Sequence, residues 1–126
     1  MRIKELLRRQ GRASRRDLEL LKWGRHFRLT GGAKAVVGRT QRDNEAIFAL
    51  KAPGDHCLNV EQVPGPLVLV PGAAMEVDLQ EAAGLAAAYS DAPLGTAVRV
   101  SMEGGGPGRV IDLIAPPTDR FKELLI

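Results

Sequence analysis

The chain alternates between short amphipathic stretches and turns rich in glycine and proline. Two short helix patterns come first: Arg2–Arg9, and a segment that opens with a capping box at Ser14 and ends near Gly24. Two strand patterns follow, His26–Leu29 and Ala33–Val37, and the diglycine between them is typical of a β-hairpin turn. The opening third of the sequence therefore predicts a helical pair followed by a hairpin.

The rest of the chain mixes helix and strand patterns. Helix patterns cover Arg42–Leu50, Val77–Ser90 and Thr118–Leu125, and strand patterns cover Asp55–Glu61, Leu67–Val70, Thr96–Met102 and Arg109–Ile114. The apolar run Leu67–Val70 suits a strand buried on both faces, whereas Thr96–Met102 alternates between apolar and polar residues. We predict an α+β fold in a single domain. A mostly antiparallel sheet of about five or six strands would pack against two main helices, after a short N-terminal helical pair.

The cysteine and histidine content restricts the chemistry. Cys57 is the single cysteine, and with His26 and His56 it makes too small a set for a structural zinc site. No apolar run approaches the ~18 residues that span a membrane. The basic N-terminus lacks the apolar stretch of a signal peptide. We therefore expect a cytoplasmic protein without metal, cofactor or membrane partner.

Positive charge is concentrated in the first third of the chain. Residues 1–42 hold 13 of the 18 basic residues and 3 acidic ones, a net charge of +10, whereas residues 43–126 hold 5 basic and 12 acidic residues, a net of −7. Such asymmetry is typical of a surface that binds a polyanion. The alternative is a solvated basic helix pair whose charges only maintain solubility.

The same composition suggests two parts. Residues 1–24 form a basic helical segment and a candidate connector to another domain, and residues 25–126 form the domain proper. Trp23 fits either part, because it could pack against the domain or belong to the connector. Both alternatives remain open from the sequence.

A turn between a strand and a helix is the candidate phosphate site. Gly38-Arg39-Thr40 precedes the helix pattern Arg42–Leu50, and the N–H groups at a helix N-terminus attract anions. The alternative is that Thr40 only caps this helix and the arginines are solvated. We predict that the phosphate-binding cations are Arg25, Arg28, Lys34, Arg39 and Arg42.

Two other features resemble parts of enzyme active sites, but the residues around them argue against catalysis. Gly104–Gly108 is followed by a strand rather than the Gly-Lys-Ser/Thr helix of a P-loop, so it predicts a hairpin tip. His56 and Cys57 are adjacent in a strand pattern and point to opposite faces, so the histidine cannot activate the thiol. Asp55 follows a Pro-Gly turn and fits a capping role. We predict no catalytic residue in this chain.

From Phe27 onward the ordered motifs are similar to the RNA-binding C-terminal domain of NFACT proteins, the fibronectin-binding-protein-A-like and ribosome-quality-control family. The stretches are AKAVVGRTQRDNEAI, GDHCLNVEQVPGPLVLV and AAGLAAAYSDA, followed by a glycine-bearing hairpin. The similarity covers residues 27–114. The matching positions are Val37-Gly38-Arg39, Asn44-Glu45, Asp55, Leu58, Pro64-Gly65, Ala82-Ala83 and Tyr89-Ser90.

The chain departs from the main NFACT pattern in two strands. Cys57 and Asn59 stand where those domains usually carry Trp and His, and Pro66-Leu67 stands where they often carry Ser-His. This variant, preceded by RRDLELLKWGRHFRL, resembles a branch appended to bacterial tRNA sulfurtransferase-like proteins, relatives of the uridine-thiolating enzymes. The resemblance implies tRNA delivery to a PP-loop sulfurtransferase domain in cis or in trans. The chain itself has no Ser-Gly-Gly-x-Asp-Ser pyrophosphate loop.

Together these patterns predict a binding module rather than an enzyme. The function expected first is binding of RNA, and of tRNA in particular, as an accessory to a tRNA thiolation system. The alternative is a protein-interaction or oligomerisation module whose basic face meets an acidic partner. A small enzyme that uses Cys57 is the weakest of the three hypotheses.

Overall fold

The computed structural model of the chain describes residues 14–104 and 106–126. The helices are α1 (Arg15–Leu20), α2 (Gln41–Ala49) and α3 (Glu76–Ala88), followed by a 3-10 helix (Thr118–Leu124). The strands are β1 (Arg25–Arg28), β2 (Lys34–Val37), β3 (His56–Val60), β4 (Val68–Val70), β5 (Ala97–Glu103) and β6 (Arg109–Ile114). The first helix pattern, Arg2–Arg9, lies outside the described residues.

All six strands form one sheet in the order β1-β2-β4-β3-β5-β6, and every neighbouring pair is antiparallel. The α+β class, the antiparallel sheet and the strand number predicted from the sequence are therefore confirmed. The diglycine hairpin is also confirmed, with Arg28 opposite Lys34. Leu67–Val70 is mainly strand β4, which lies at the centre of the sheet with Val68, Leu69 and Val70 inaccessible to solvent.

Helix α3 covers the front face of the sheet. Its residues Ala82–Ala87 are buried around the whole circumference. The 3-10 helix supplies the reason, because it packs on the outer side of α3, where Phe121 contacts Gly84 so closely that a Cβ there would lie 2.8 Å from the ring. Small residues let α3 pack between these two neighbours.

Helices α1 and α2 cover part of the back face. Leu20 of α1 and Ile47 of α2 pack with Val36, Cys57 and Leu69, and all of them are buried. Trp23 is half-buried against the same cluster. Residues 14–23 are thus packed on the sheet. That residues 1–24 connect to another domain stays a prediction.

Helix α1 begins and ends with defined caps. Ser14 accepts a hydrogen bond from the Asp17 N–H, and the Asp17 carboxylate accepts one from the Ser14 N–H, so the predicted capping box is present. After the helix, the carbonyls of Leu20 and Trp23 each lie 3.0 Å from Nε2 of His26, which is buried. Because both atoms are acceptors, Nε2 carries a proton and donates to them.

The two edges of the sheet differ. Strand β1 is covered by the end of the chain, where Leu125 bridges Phe27 and the Ile126 N–H donates to the His26 carbonyl at 2.9 Å. In the described part of the chain, β6 pairs with β5 alone, and Val110 and Ile114 are exposed on its back face. No helix within the described residues is long and apolar enough to cross a membrane.

Candidate nucleic-acid interface

A cavity of about 260 Å³ opens at one end of the sheet, beside the N-terminus of α2 and the C-terminus of α3. It combines two arginines, one carboxylate and the loop between β3 and β4. The lining residues are Arg25, Gly38, Arg39, Thr40, Gln41, Asn44, Pro64, Gly65, Pro66, Tyr89 and Asp91. Segments that are far apart in sequence therefore meet around one opening.

Close backbone packing holds the walls of this cavity in place. The Asn44 side chain approaches Gly38 so closely that a Cβ on the glycine would lie 1.9 Å from its Oδ1, and the same oxygen accepts a hydrogen bond from the Leu67 N–H at 3.1 Å. A Cβ on Gly65 would lie 2.8 Å from the Cβ of Ser90. These positions belong to the motifs on which the resemblance rests, so the motifs form one structural unit.

Arg25 is the cation best prepared for an anion. Its guanidinium lies over the ring of Tyr89 with 4.9 Å between Cζ and the ring centroid, in cation–π geometry. Among the described residues, its side chain has no hydrogen-bonded or ion-paired acceptor. The ring therefore fixes the guanidinium while its N–H donors remain available to the cavity.

Arg39 is engaged with a neighbouring carboxylate. Oδ2 of Asp43 accepts hydrogen bonds from the backbone N–H of Arg39 at 2.9 Å and from its Nε at 3.1 Å. Burial alone would raise the pKa of Asp43. The hydrogen bonds from Arg39 and from the Gly24 backbone outweigh burial and lower the pKa below its ordinary value.

This carboxylate changes the expected phosphate site. Thr40 caps α2 by accepting from the Asp43 N–H at 3.1 Å, and Asp43 supplies a negative charge in the first turn. The structure therefore shows Thr40 as the cap of α2, and the chain's own carboxylate lies at the helix N-terminus where we expected an anion. A phosphate would have to bind the two arginines beside this terminus.

Arg42 lies on the other side of the same helix start. Its guanidinium is over the ring of Trp23, with 5.8 Å between Cζ and the centroid. Arg42 is exposed, and it belongs to the same end of the sheet as the cavity. Arg39 and Arg42 thus lie on either side of the start of α2, and Arg25 shares the cavity with Arg39.

The structure places the other two predicted cations elsewhere. Arg28 and Lys34 are opposite each other at the far end of the β1–β2 hairpin and line a separate cavity that also contains Asp17. Arg28 is three residues beyond Arg25, or about 10 Å along the strand, and its side chain faces the opposite side of the sheet. The five residues do not converge on one site.

A half-buried ion pair joins α1 to the domain. Arg16 Nη1 lies 2.5 Å from Oδ2 of Asp55, whose side chain is 1% exposed. Asp55 also accepts from the N–H groups of Ala52 at 2.8 Å and Gly72 at 3.0 Å. The sequence predicted a capping carboxylate here. The contact with Arg16 could not be predicted, because the two residues are 39 positions apart.

Cys57 and His56 occupy opposite faces of β3, as the strand pattern predicted. Cys57 packs in the back cluster, and burial raises the pKa of its thiol above the ordinary value. In the described residues, no three His, Cys, Asp or Glu side chains meet as a metal site.

We expect Cys57→Ser to lower the free energy of unfolding by about 1–3 kcal/mol, because a hydroxyl would be buried without an assured partner. Urea denaturation measures this cost. RNA affinity should stay within about twofold, since the thiol is on the back face. Rapid labelling of the folded protein by a thiol reagent at neutral pH would contradict the burial of Cys57.

Gly104, which follows β5, lies at the other end of the sheet from the cavity. A Cβ on Gly104 would lie 1.9 Å from the Asp55 carbonyl, which precedes β3, whereas the cavity is lined by Pro64 and Gly65, which follow β3. Gly104 therefore serves close packing at the hairpin between β5 and β6, and contact between this loop and the same RNA segment as the cavity is not expected.

Comparison with known proteins gives the family. The model of the NFACT protein RNA binding domain matches residues 24–120, well over half of the chain. The chain belongs to this family. NFACT RNA-binding domains are binding modules, which agrees with the prediction that this chain is not an enzyme by itself. Six cavity residues of this NFACT domain carry the resemblance seen in the sequence: Gly38, Arg39, Asn44, Pro64, Gly65 and Tyr89.

A solved structure supports the fold of the NFACT domain. The C-terminal part of the fibronectin/fibrinogen-binding protein from Streptococcus suis superposes with a TM-score of 0.73 at 19% identity, and the match covers 82% of this chain and 49% of that one. The present chain thus spans about half of that structure. No curated protein matches the chain.

Proposed function

We propose that this NFACT domain binds tRNA through phosphate contacts around the cavity. The observation that carries the proposal is Arg25, a guanidinium fixed on the Tyr89 ring beside the cavity with no acceptor among the described residues. An arginine held in place with free donors loses little conformational freedom when a phosphate arrives. RNA is the polyanion that this domain family binds.

Arg39 and Arg42 extend the site on either side of the α2 N-terminus. The hydrogen bonds that Arg39 makes with Asp43 use Nε and the backbone N–H, so its two terminal nitrogens can donate to a second phosphate. Arg42 is exposed above Trp23 and can bind a third. Arg28 and Lys34 would reach phosphates only on an RNA long enough to pass around the hairpin.

Most of the affinity should come from backbone contacts rather than from base stacking. The chain is 4% aromatic, and the rings of Tyr89 and Trp23 each lie against an arginine. A stacking platform of several exposed rings, as in RRM domains, is therefore not available in the described residues. Contacts to phosphates position an RNA without reading its sequence.

The salt dependence of tRNA binding tests how many cations take part. If all five predicted cations contribute about four phosphate contacts, log affinity should fall against log salt with a slope of about −3 to −4, at ~0.7 to 0.9 per phosphate. If Arg25, Arg39 and Arg42 act alone, the slope should be about −2 to −3. Filter binding at several salt concentrations measures it.

A slope near zero would contradict the electrostatic proposal. Competition with polyglutamate provides the control, because a domain that recognises an acidic protein partner should bind this polymer as well as it binds tRNA. That outcome would favour the alternative of a protein-interaction module.

We further propose that the bound tRNA is delivered to a PP-loop sulfurtransferase, present in cis or in trans, in the cytoplasm. The support is the resemblance of the sequence variant, including Pro66-Leu67 and the basic segment before β1. The expected result is a lower KM for tRNA, with kcat unchanged, when this domain is joined to the thiolating enzyme. An unchanged KM in thiouridine assays would contradict delivery.

A further inference from the structure

We propose that the cavity receives one unpaired nucleotide of the bound RNA and prefers guanine. Its phosphate would bind Arg25 and Arg39, and its base edge would donate hydrogen bonds to Asp91. This inference deepens the proposed function and rests on it, since it names which part of an RNA occupies the opening.

The size of the cavity favours a single nucleotide. At about 260 Å³ it is just below the range of sites for drug-sized ligands, roughly 300–1,000 Å³. This volume is of the order of a single nucleotide. Proteins recognise RNA sequence chiefly at such unstacked bases in loops, bulges and ends.

Contacts within the chain hold the part of the cavity wall that contains Pro64, Gly65 and Asp91 in place. The Asp91 N–H donates to the Pro64 carbonyl at 2.8 Å, and Gly65 packs directly on Ser90. Pro66 is buried at the base of the loop. A preformed wall lowers the entropy cost of binding, so modest contacts to a base can contribute selectivity.

Asp91 places a negative charge in the same cavity as the two arginines. Its carboxylate is exposed at the cavity and forms no hydrogen bond or ion pair within residues 14–104 and 106–126. It therefore repels phosphate, which leaves the phosphate to Arg25 and Arg39, and it accepts N–H donors from the other end of a nucleotide. Opposite charges in one cavity orient the ligand.

Guanine satisfies this carboxylate best. Its N1–H and N2 amino group are adjacent donors that can bind both carboxylate oxygens, whereas adenine and cytosine offer one amino group each. Uracil has a single N–H between two carbonyl oxygens, and those oxygens would face the negative charge. A bidentate base contact discriminates by about 1–3 kcal/mol, which is about 5- to 150-fold in affinity.

The test uses the full chain and NMR titration with guanosine 5′-monophosphate, uridine 5′-monophosphate and inorganic phosphate. We expect guanosine 5′-monophosphate to bind about tenfold more tightly than uridine 5′-monophosphate, with shifts at the amides of Gly38, Gly65 and Asp91. Equal affinities for the two nucleotides would overturn the proposal.

The variant Asp91→Ala separates a base contact from simple electrostatics by the sign of its effect. Loss of a negative charge near a cationic site should tighten binding of every anion, phosphate included. Loss of a base contact should instead lower the affinity for guanosine 5′-monophosphate about tenfold. The affinities for uridine 5′-monophosphate and for phosphate should stay the same or rise. The matched control is Asp119→Ala, an equal charge change in the 3-10 helix, which should leave guanine selectivity intact.

Two RNA hairpins locate the nucleotide, one with a guanine in its loop and one with a 3′-overhanging guanine. Tighter binding of either hairpin than of a blunt duplex supports the proposal and identifies the source. Equal binding of all three RNAs, with the salt slope retained, would overturn the nucleotide site and leave the proposed function standing. Failure of all RNAs to bind would overturn both.

Discussion

Arg25→Ala should weaken tRNA binding by about 1.5–3 kcal/mol, the cost of a lost charge-assisted hydrogen bond. The expected effect is large because this guanidinium already lies on the Tyr89 ring, so the wild-type protein spends little entropy to use it. Arg39 is a less clean target, since its replacement also removes the Nε hydrogen bond to the buried Asp43 carboxylate and can destabilise the fold. Filter binding at constant salt measures the affinity.

Lys51→Ala is the matched control for Arg25→Ala. Lys51 follows the C-terminus of α2, away from the cavity, and both variants remove one positive charge. Simple loss of net charge predicts similar losses of affinity, whereas a structured site predicts well under 1 kcal/mol for Lys51→Ala. Both proteins should melt like the wild type. If Arg25→Ala melts at a lower temperature, Arg25→Gln can replace it. Equal losses would mean that only a diffuse basic surface binds RNA.

Asp55→Ala should lower the free energy of unfolding by about 3 kcal/mol, because loss of a buried acceptor costs about 1–3 kcal/mol for each donor left unpaired. The carboxylate of Asp55 receives Arg16 and the N–H groups of Ala52 and Gly72, so its loss leaves three donors without their acceptor. The Asp55 carboxylate thus links α1, the turn before β3 and the segment after β4, and its removal should affect all three. Chemical denaturation followed by circular dichroism measures it.

The control for Asp55→Ala is Glu19→Ala, which removes a carboxylate from α1, the helix that Asp55 contacts. Glu19 pairs with Lys22 at 3.1 Å, but both side chains are largely exposed, at 44% and 62%. Exposed pairs contribute about 0–1 kcal/mol, so this variant should unfold nearly like the wild type. Comparable costs for the two variants would show that Asp55 is not the buried junction described above.

The sequence predicted the fold well because its signals are local. The capping box at Ser14, the diglycine at Gly31 and the alternation of β5 each depend on residues a few positions apart. The bounds of α2 and α3 differ from the prediction by a residue or two, α1 ends at Leu20 rather than near Gly24, and the last helix is 3-10 rather than α. The burial of α3 on all sides could not be read from its own pattern, since it depends on Phe121 packing from a distant segment.

The candidate site was predicted in part. Arg39 and Arg42 flank a helix start, and Arg25 joins them because it is opposite Val37 in the hairpin. Arg28 could have been separated from Arg25 by its spacing alone, because residues three apart in a strand face opposite sides. Asp43 could have been found from the sequence, since Arg39 and Thr40 lie four and three residues before it. Asp91 needed the structure, since its neighbours at the cavity come from other segments.

The unequal edges of the sheet limit how copies of this domain could associate. Leu125 and Ile126 cover the outer side of β1, whereas the outer side of β6 has no partner in the described residues. Two molecules could join their β6 strands edge to edge, and each would then present only a covered β1 edge to a third molecule. Assembly by this route therefore ends at a closed pair and cannot propagate into a fibre.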